Sequence, residues 1–491
     1  MARPVLRPGK TIPGISVHIL KNSFPLLVLT LSASLSMPCE RVAGQAPGES
    51  TAQAPFPASS PQVPSDSAIA PAPQPELPAA FAPPAPPPAE LPQASTPATP
   101  PASSATLVPA PAAAATSAQP EFALAPGKGL TVTSADKRFQ IGLRSRIQLR
   151  TTLQKDDKQT QLEAQVRTLR FVVSGHALVP ELKYLIQFAF GTNDFDSGNS
   201  SPIFDAFVEY NKVRDFNVRV GQFFVPFDRA RTIREFALQF VDRQGVVREL
   251  TLDRDVGVMF SSQDLFGVGG RLAYHLFVGG GDGRNRVADA KNKYGPQAPG
   301  VLVVGRLIAR PFGAFDDDQE GDLTRTAKPR LAVGVAGAYN ISTDRDKSTY
   351  GATYTLGTYN YVHAAADLVF KWHGFSLLTE FVYREANKEQ RVATVAGQTV
   401  TERSRSGYGY FAQVGQMLTE HLEVTARAEK LWGTDRALRD LARTSGRQVG
   451  GGLNVYLNAH AFKLQSDYFY VFGNDIGKGG HVARLQLDAS F

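Results

Sequence analysis

From residue 137 onward the chain repeatedly alternates apolar and polar residues, and this feature limits its possible folds more than any other. In the first such segment Phe139 and Ile141 fall on one face, whereas Gln140, Arg144 and Arg146 fall on the other. Successive side chains of a β-strand point to opposite faces, so this period of two predicts strands between an apolar and a polar environment. The predicted strands are 138–153, 161–176, 181–191, 203–212, 216–223, 254–262, 269–280, 301–312, 329–341, 360–372, 374–386, 406–417, 421–431, 446–458, 460–472 and 481–491. The chain is therefore predicted to be all-β.

These sixteen strands are expected to close into an antiparallel transmembrane β-barrel. Outside the N-terminal leader, no run approaches the roughly 18 apolar residues that a membrane-spanning helix needs. A chain that spans lipid without such a helix must form a closed barrel, and bacterial single-chain barrels have even strand numbers. The single cysteine, Cys39, lies in the leader, so neither a disulfide framework nor a cysteine metal cluster is predicted. We expect no cofactor and no metal site.

The last predicted strand, VARLQLDASF at 482–491, ends on Phe491 with its apolar residues on one face. Such a strand resembles the assembly signal of bacterial outer-membrane barrels. The resemblance implies that outer-membrane lipid surrounds the barrel and that the barrel assembly machinery recognises Phe491.

The links between the predicted strands alternate in length. Short links follow strands four, six, ten, twelve and fourteen, whereas those after strands five, seven, nine, eleven and thirteen are long and polar. This alternation is typical of short periplasmic turns and longer extracellular loops.

The link at 313–328, GAFDDDQEGDLTRTAK, is too long for a tight turn. We expect a solvated loop there, and its acidic run leaves a divalent-cation site open as the alternative.

Two segments precede the predicted barrel domain at 127–491. Residues 1–44 place Arg3, Arg7 and Lys10 before an apolar stretch, which is the order of a secretory signal peptide. Residues 45–126 are rich in Pro and Ala and almost uncharged, so they are predicted to form a disordered periplasmic spacer. A passive linker and a tether to the cell wall both fit this composition.

If the apolar faces contact lipid, the polar faces line the lumen, and arginine dominates among their charged residues. Guanidinium groups stay charged and bind phosphate oxygens in pairs, and rings of them make a pore anion-selective. The phase of the second strand slips between Val166 and Leu169, which predicts a bulge that re-aims Arg167. The predicted anion-binding and pore-lining residues of the strands are Arg144, Arg146, Arg150, Arg167, Arg170, Lys183, Asp205, Arg219, Arg306, Arg384, Arg427 and Lys463. A mixed-charge lumen whose ion pairs cancel, giving a weakly selective pore, is the alternative.

The link at 225–253, called loop three here, is the longest and the richest in arginine. Its apolar residues Ile233, Phe236, Leu238 and Phe240 would have no role in water. We therefore expect loop three to fold into the barrel and narrow it. Its arginines complete the predicted site: Arg229, Arg231, Arg234, Arg243 and Arg248.

Several segments resemble the phosphate-selective porin O and P family. They are VRVGQFFVPF (218–227), RDVGVMFSS (254–262), FVGGGDG (277–283), ADLVFKW (366–372), GFSLLTEFVYRE (374–385) and GLNVYLNAHAFKLQSDYFYVF (452–472). The resemblance covers about residues 137–491, and the Pro/Ala-rich spacer departs from the family's pattern. It implies a trimeric, 16-stranded outer-membrane channel for anions, with phosphate or polyphosphate as the substrate.

Other function classes fit the sequence less well. The net charge of +7 comes without a compact basic block, so no nucleic-acid partner is predicted. The eight histidines include no HExxH pair, and the glycine-rich segments at 267–270 and 279–283 lack the strand-to-helix setting of a phosphate-binding loop. We therefore predict that the protein is not an enzyme. A non-conducting tether or structural barrel of the outer membrane is a further alternative.

Overall fold

The computed structural model of the protein describes residues 119–191, 194–195, 201–285 and 300–491. The predicted signal peptide and nearly all of the predicted spacer lie outside these ranges. The described strands are β1 (Glu121–Ala125), β2 (Gly129–Thr133), β3 (Gln140–Lys155), β4 (Thr160–Ala177), β5 (Val179–Ala189), β6 (Ile203–Tyr210), β7 (Asn217–Phe224), β8 (Arg254–Ser262), β9 (Leu272–Gly279), β10 (Val301–Ala309), β11 (Arg330–Thr343), β12 (Tyr359–Trp372), β13 (Phe375–Ala386), β14 (Gln390–Val395), β15 (Gln398–Arg403), β16 (Gly407–Met417), β17 (Leu422–Gly433), β18 (Arg447–Asn458), β19 (Phe462–Phe472) and β20 (Gly480–Ser490).

Sixteen of these strands, β3–β13 and β16–β20, form a closed antiparallel barrel. Each pairs with the next along the chain, and β20 closes the ring by pairing with β3. The predicted all-β, 16-stranded barrel is confirmed. The predicted bulge is confirmed as well, because Gln148 pairs with Thr168 and Leu149 with Val166, which leaves Arg167 as the extra residue.

The remaining strands form two hairpins. β14 and β15 pair only with each other, whereas β2 pairs with the first residues of β3 and β1 pairs with β2. The β1–β2 turn contains Gly127 at φ 72°, where a Cβ would lie 2.6 Å from the Cβ of Ala461. β1 begins at Glu121, before the predicted domain boundary at residue 127. The five-residue EFALA segment is too short to stand out against the flanking Pro/Ala-rich composition.

The outward face of the barrel is apolar. It exposes side chains such as Leu149 and Val220, and it carries aromatic residues towards both ends, with Trp372 near one end and Tyr410 beside Trp432 near the other. An apolar band flanked by aromatic residues is the lipid-facing surface of a transmembrane barrel. Within the described ranges, no helix has the length and apolar character needed to cross a membrane.

The two ends of the barrel differ in their links. Links at 211–216, 373–374, 418–421 and 459–461 lie at one end, here called the short-turn end. The other end, here called the long-loop end, carries loop three and the links at 344–358, 387–406 and 434–446. Three short helices lie in the long links: α1 (Arg229–Thr232), α2 (Gly245–Leu250) and α3 (Arg436–Ser445).

Loop three folds into the barrel, as predicted. Ile233 and Leu238 are buried against inward-facing apolar residues of the wall, and the rings of Phe240 and Phe469 lie 5.2 Å apart. The first N–H groups of α1 donate hydrogen bonds to Glu380 of β13 at 3.0 Å. Loop three is therefore fixed to the inner wall by apolar contacts and by hydrogen bonds.

The link at 310–329, here called the acidic link, enters the barrel from the short-turn end. Asp317 accepts a hydrogen bond from Arg229 of loop three at 2.9 Å, and the N–H of Gln239 donates to Glu320 at 2.7 Å. The expectation of a solvated loop is thus wrong for Asp317 and Glu320, which are buried. The polar interior of the barrel supplies partners for these carboxylates, so their burial leaves them hydrogen-bonded. Loop three and the acidic link together fill the middle of the lumen.

Candidate functional site

Loop three and the acidic link leave two large cavities in the lumen. The short-turn cavity has a volume of about 1000 Å³ and includes Arg144, Arg219 and Arg234 in its lining. The long-loop cavity has a volume of about 830 Å³ and includes Arg167 and Arg248. Among the described residues, only Glu235 and Arg254 line both cavities. We call the place where the two cavities share these side chains the waist.

The waist is built from charged groups with fixed partners. Arg254 donates a hydrogen bond to Asp205 at 2.7 Å, and its guanidinium lies between the rings of Phe204 and Phe224, 3.7 and 3.6 Å from their centroids. Cation–π contacts on both faces hold the guanidinium plane in one orientation. On the other side, Glu235 lies 2.9 Å from Arg170.

The charge of Glu235 depends on its cationic neighbours. Burial opposes the charged form, but the attraction of Arg170 and Arg167 outweighs it and lowers the pKa of Glu235 well below its usual range. The waist therefore carries one negative side chain beside the guanidinium of Arg254.

Cations outnumber carboxylates in the short-turn cavity, where eleven Arg and Lys side chains and six Asp and Glu side chains form the lining. Most of these arginines have carboxylate partners. The ion pairs are Arg146 with Asp488, Arg170 with Asp194 and Glu235, Arg219 with Glu209, Arg229 with Asp317 and Asp367, Arg254 with Asp205 and Asp253, Arg306 with Asp367, and Arg310 with Asp317. Such pairs present little net charge to a solute.

Arg144 and Arg234 differ from these arginines, because neither contacts a carboxylate of the described residues. Arg144 projects from β3, and Arg234 lies in loop three between α1 and α2; both line the short-turn cavity. The two guanidinium groups repel each other. Burial and repulsion from Arg219 and Arg254 lower the pKa of Arg234, although Asp205 partly offsets them. The two guanidinium groups therefore lie close enough for their charges to interact.

The long-loop cavity has a more balanced lining of nine Arg and Lys and seven Asp and Glu side chains. Arg231 pairs with Asp253. Arg167 and Arg248 have no direct carboxylate contact among the described residues, but both attract Asp242. Burial opposes ionisation of Asp242, yet its arginine neighbours, Arg484 and Arg150 foremost, lower its pKa below the usual range.

Glu249 of α2 is the centre of a second charged network at the long-loop cavity. It contacts Lys347 at 3.0 Å, Arg384 at 3.2 Å and Arg405 at 2.7 Å. Burial opposes its ionisation, but the hydrogen bonds from Arg405 and the charge of Arg384 lower the pKa of Glu249 to about 2. This carboxylate therefore stays charged and neutralises part of its cationic surroundings.

Four predicted pore-lining residues face inward but line neither cavity, because loop three covers them. They donate hydrogen bonds to backbone carbonyls of loop three: Arg150 to Val241 at 2.7 Å, Arg384 to Glu249 at 2.7 Å, Arg427 to Asp242 at 3.0 Å and Lys463 to Leu238 at 2.8 Å. All four side chains are buried in this geometry. They anchor loop three to the wall.

Two other predicted residues have a different environment from the one expected. Arg243 donates to the carbonyls of Ala230 and Ile233, and burial and repulsion from Arg231 lower its pKa to about 10. Its main contacts are therefore within loop three. Lys183 is exposed near the short-turn end and lines neither cavity.

Sequence reasoning missed Arg254, Arg310 and the buried part of the acidic link. Alternation along β8 places Arg254 on the same face as the outward-facing Val256, yet at the end of the strand its side chain turns inward to Asp205. A signal for the acidic link was present, since a link of that length at the short-turn end departs from the alternation of link lengths. In the described part of the chain, no group of His, Cys, Asp and Glu could hold a metal ion.

Comparisons with known proteins found similar solved structures but no matching family. No protein-family model matches the chain, and no curated protein matches it. Among solved structures, the outer-membrane channel DcaP of Acinetobacter baumannii is 14% identical with a TM-score of 0.46, over 73% of this chain and 99% of that one. OmpF of Salmonella typhi is 10% identical with a TM-score of 0.48, over 72% and 98%. An anion-selective porin from Comamonas acidovorans is 10% identical with a TM-score of 0.45, over 72% and 99%.

Proposed function

We propose that the protein is an outer-membrane channel for the passive diffusion of anions. The observation that supports this most is the pair of guanidinium groups, Arg144 and Arg234, that line the short-turn cavity without a carboxylate partner among the described residues. A guanidinium without a counter-charge attracts anions and repels cations, whereas an ion pair does neither strongly. The barrel supplies the wall, and loop three and the acidic link narrow the path.

Phosphate or polyphosphate is the proposed substrate class. Guanidinium groups bind phosphate oxygens in pairs through their planar fork, and they keep their charge at every physiological pH. The resemblance to the phosphate-selective porin O and P family points the same way.

Recordings from single channels of the purified protein in a planar bilayer test this proposal. We expect discrete conductance steps, and a reversal potential across a KCl gradient that shows preference for chloride over potassium. Phosphate added at micromolar to millimolar concentration should block the chloride current if it is the substrate. A protein that conducts nothing would contradict the channel function and favour the alternative of a structural barrel.

A weakly selective porin is the second candidate, and the ion pairing of most lumen arginines favours it. It predicts a reversal potential close to zero across the same gradient. The size of the reversal potential therefore distinguishes the two candidates.

The proposal includes insertion through the C-terminal strand and assembly as a homotrimer. Phe491 and Ser145 exchange two backbone hydrogen bonds of 2.9 and 3.0 Å where β20 meets β3, and the side chain of Phe491 is exposed on the outside. Removal of Phe491 should reduce the amount of barrel in the outer membrane. Chemical cross-linking of the protein in detergent should give a trimer band.

A further inference from the structure

The β1–β2 hairpin adds wall to the barrel at the seam between its first and last strands. β20 pairs with β3 from His481 to Ser490, and β2 pairs with β3 from Gln140 to Leu143. Beyond Phe491, towards the short-turn end, β2 therefore takes the place beside β3 that β20 takes along the rest of that strand. β1 then pairs with β2 and lies in line with β19.

The two faces of the hairpin differ in character. Phe122 pairs with Val132, and Leu124 pairs with Leu130, so these four apolar side chains share one face. The opposite face carries Glu121, Ala123, Thr131 and Thr133 and borders an open cavity at the short-turn end. Phe122 and Leu124 are 68% and 81% exposed, among the most exposed large apolar side chains of the described residues. Two apolar side chains with this exposure would be unfavourable if this face of the hairpin contacted water.

The apolar face of the hairpin is in register with the lipid-facing surface of the barrel. Directly paired residues of adjacent strands lie on the same face of a sheet. The row that begins at Phe122 continues through Val132, Ile141, Gly175, Tyr184, Val208, Val220, Val258, Val278 and Val303. The hairpin thus extends the outward apolar surface of β3–β10 without a break.

The turn between β2 and β3 adds charge of the sign that a bilayer surface attracts. Lys137 and Arg138 are both exposed in this turn. Lys137 borders the open cavity of the opposite face, whereas Arg138 does not line that cavity. Lys and Arg beside an apolar surface place their charged ends among lipid headgroups, and each attracts anionic lipid. Aromatic residues such as Phe122 are common at the same depth of a membrane.

We propose that the outer face of the β1–β2 hairpin is a lipid-binding surface that lies in the headgroup region of the leaflet at the short-turn end. Phe122 and Leu124 contact acyl chains near the headgroups, and Arg138 contacts anionic headgroups. The barrel is therefore taller in the membrane at its seam than its sixteen strands alone would make it. This inference does not depend on which solute, if any, passes through the lumen.

Tryptophan fluorescence in vesicles of phosphatidylcholine and phosphatidylglycerol with brominated acyl chains tests the proposal. The full chain carries Trp372→Phe and Trp432→Phe, to remove the native signals, together with Phe122→Trp or Leu124→Trp. We expect blue-shifted emission that the brominated lipid quenches, and more strongly when the bromines lie near the headgroups. The matched controls are Ala123→Trp and Thr131→Trp, on the opposite face of the same hairpin, which should not be quenched. A protein that retains only Trp372, on the outward face of β12, is the positive control.

Two results would overturn the proposal. Red-shifted, unquenched emission from both Phe122→Trp and Leu124→Trp would place the apolar face in water. Blue-shifted emission without quenching would show that protein, such as a second copy of the chain, covers the face. Heat-modifiable mobility on gels confirms that each variant is folded before its spectrum is compared.

Discussion

The two cavities of the lumen contain the same residue types but differ in how their charges are matched. In the long-loop cavity nine cations face seven carboxylates, and Glu249 alone contacts three cationic side chains. In the short-turn cavity eleven cations face six carboxylates, and Arg144 and Arg234 have no carboxylate partner among the described residues. The comparison shows that the number of arginines in a lumen is a poor guide to its field, because the field comes from the charges that remain unmatched.

Loop three produces this difference. Its residues Asp242, Glu249 and Asp253 line the long-loop cavity, whereas Arg229, Arg234 and Arg243 line the short-turn cavity. Arg231 and Arg248 of the same loop also line the long-loop cavity, so loop three gives that cavity a small net negative charge and the short-turn cavity a small net positive one.

The largest effect should come from replacing Arg229 with Ala, since the two cavities are separate only while loop three stays in place. Arg229 is buried and contacts Asp367 at 2.6 Å and Asp317 at 2.9 Å. Loss of one partner from a buried pair costs about 3–5 kcal/mol. We expect the cavities to merge, with a higher single-channel conductance and a lower temperature for the heat-induced mobility shift.

Arg436→Ala is the control for this experiment. Arg436 lies 3.8 Å from Asp440 on the exposed face of α3, and exposed pairs contribute little to stability. Conductance that stays unchanged in Arg229→Ala would show that loop three is not what separates the cavities.

A smaller effect is expected from acid at the long-loop cavity. The pKa of Glu249 is lowered to about 2 from its ordinary 4.5, so the charged form is favoured in the folded protein. Its contribution to stability is fully present above the ordinary pKa and is lost as the pH falls through the lowered one. The shift corresponds to about 3 kcal/mol. In Glu249→Gln this contribution is absent, so the stability gap between wild type and variant should narrow between about pH 4.5 and 2. A gap that is constant over this range would contradict the assignment.

The smallest effect compares Glu235 of the waist with its chain neighbour Arg234 of the short-turn cavity, and the two residues should act with opposite sign. Glu235→Gln removes the negative side chain that lines both cavities, while Arg170 keeps its contact with Asp194. One unit charge at about 4 Å in water contributes about 1 kcal/mol, so anion preference should rise modestly in Glu235→Gln and fall in Arg234→Ala. High salt should reduce both changes, because water-filled regions are screened. Changes of the same sign in the two variants would show that the path does not pass the waist.

The sequence predicted the wall of the barrel better than it predicted the site. Alternation, link lengths and the phase slip at Arg167 report on local structure, so the sixteen strands, the inward loop three and the bulge could be read from them. The sequence could not show which arginines have carboxylate partners, because these contacts join residues far apart in the chain. Arg170, for example, contacts Asp194 and Glu235, and no residue near Arg170 in the sequence indicates either contact.

The polar composition of the acidic link also led to a wrong prediction of its environment. Acidic residues in a link normally indicate solvent, but a barrel of this kind has a polar interior, and Asp317 finds Arg229 and Arg310 there. The same limit applies to Arg150 and Arg384. Alternation correctly places them on the inner face, yet it cannot show that loop three covers them.

The central claim is that the unmatched arginines of the short-turn cavity produce anion selectivity, and reversal potentials across a KCl gradient test it most directly. Arg144→Ala with Arg234→Ala removes two charges from the short-turn cavity, and Arg167→Ala with Arg248→Ala removes two from the long-loop cavity, where Asp242 already attracts both. We expect the first pair of substitutions to lower the anion preference clearly and the second pair to lower it less. An equal or larger change in the second pair would contradict the account.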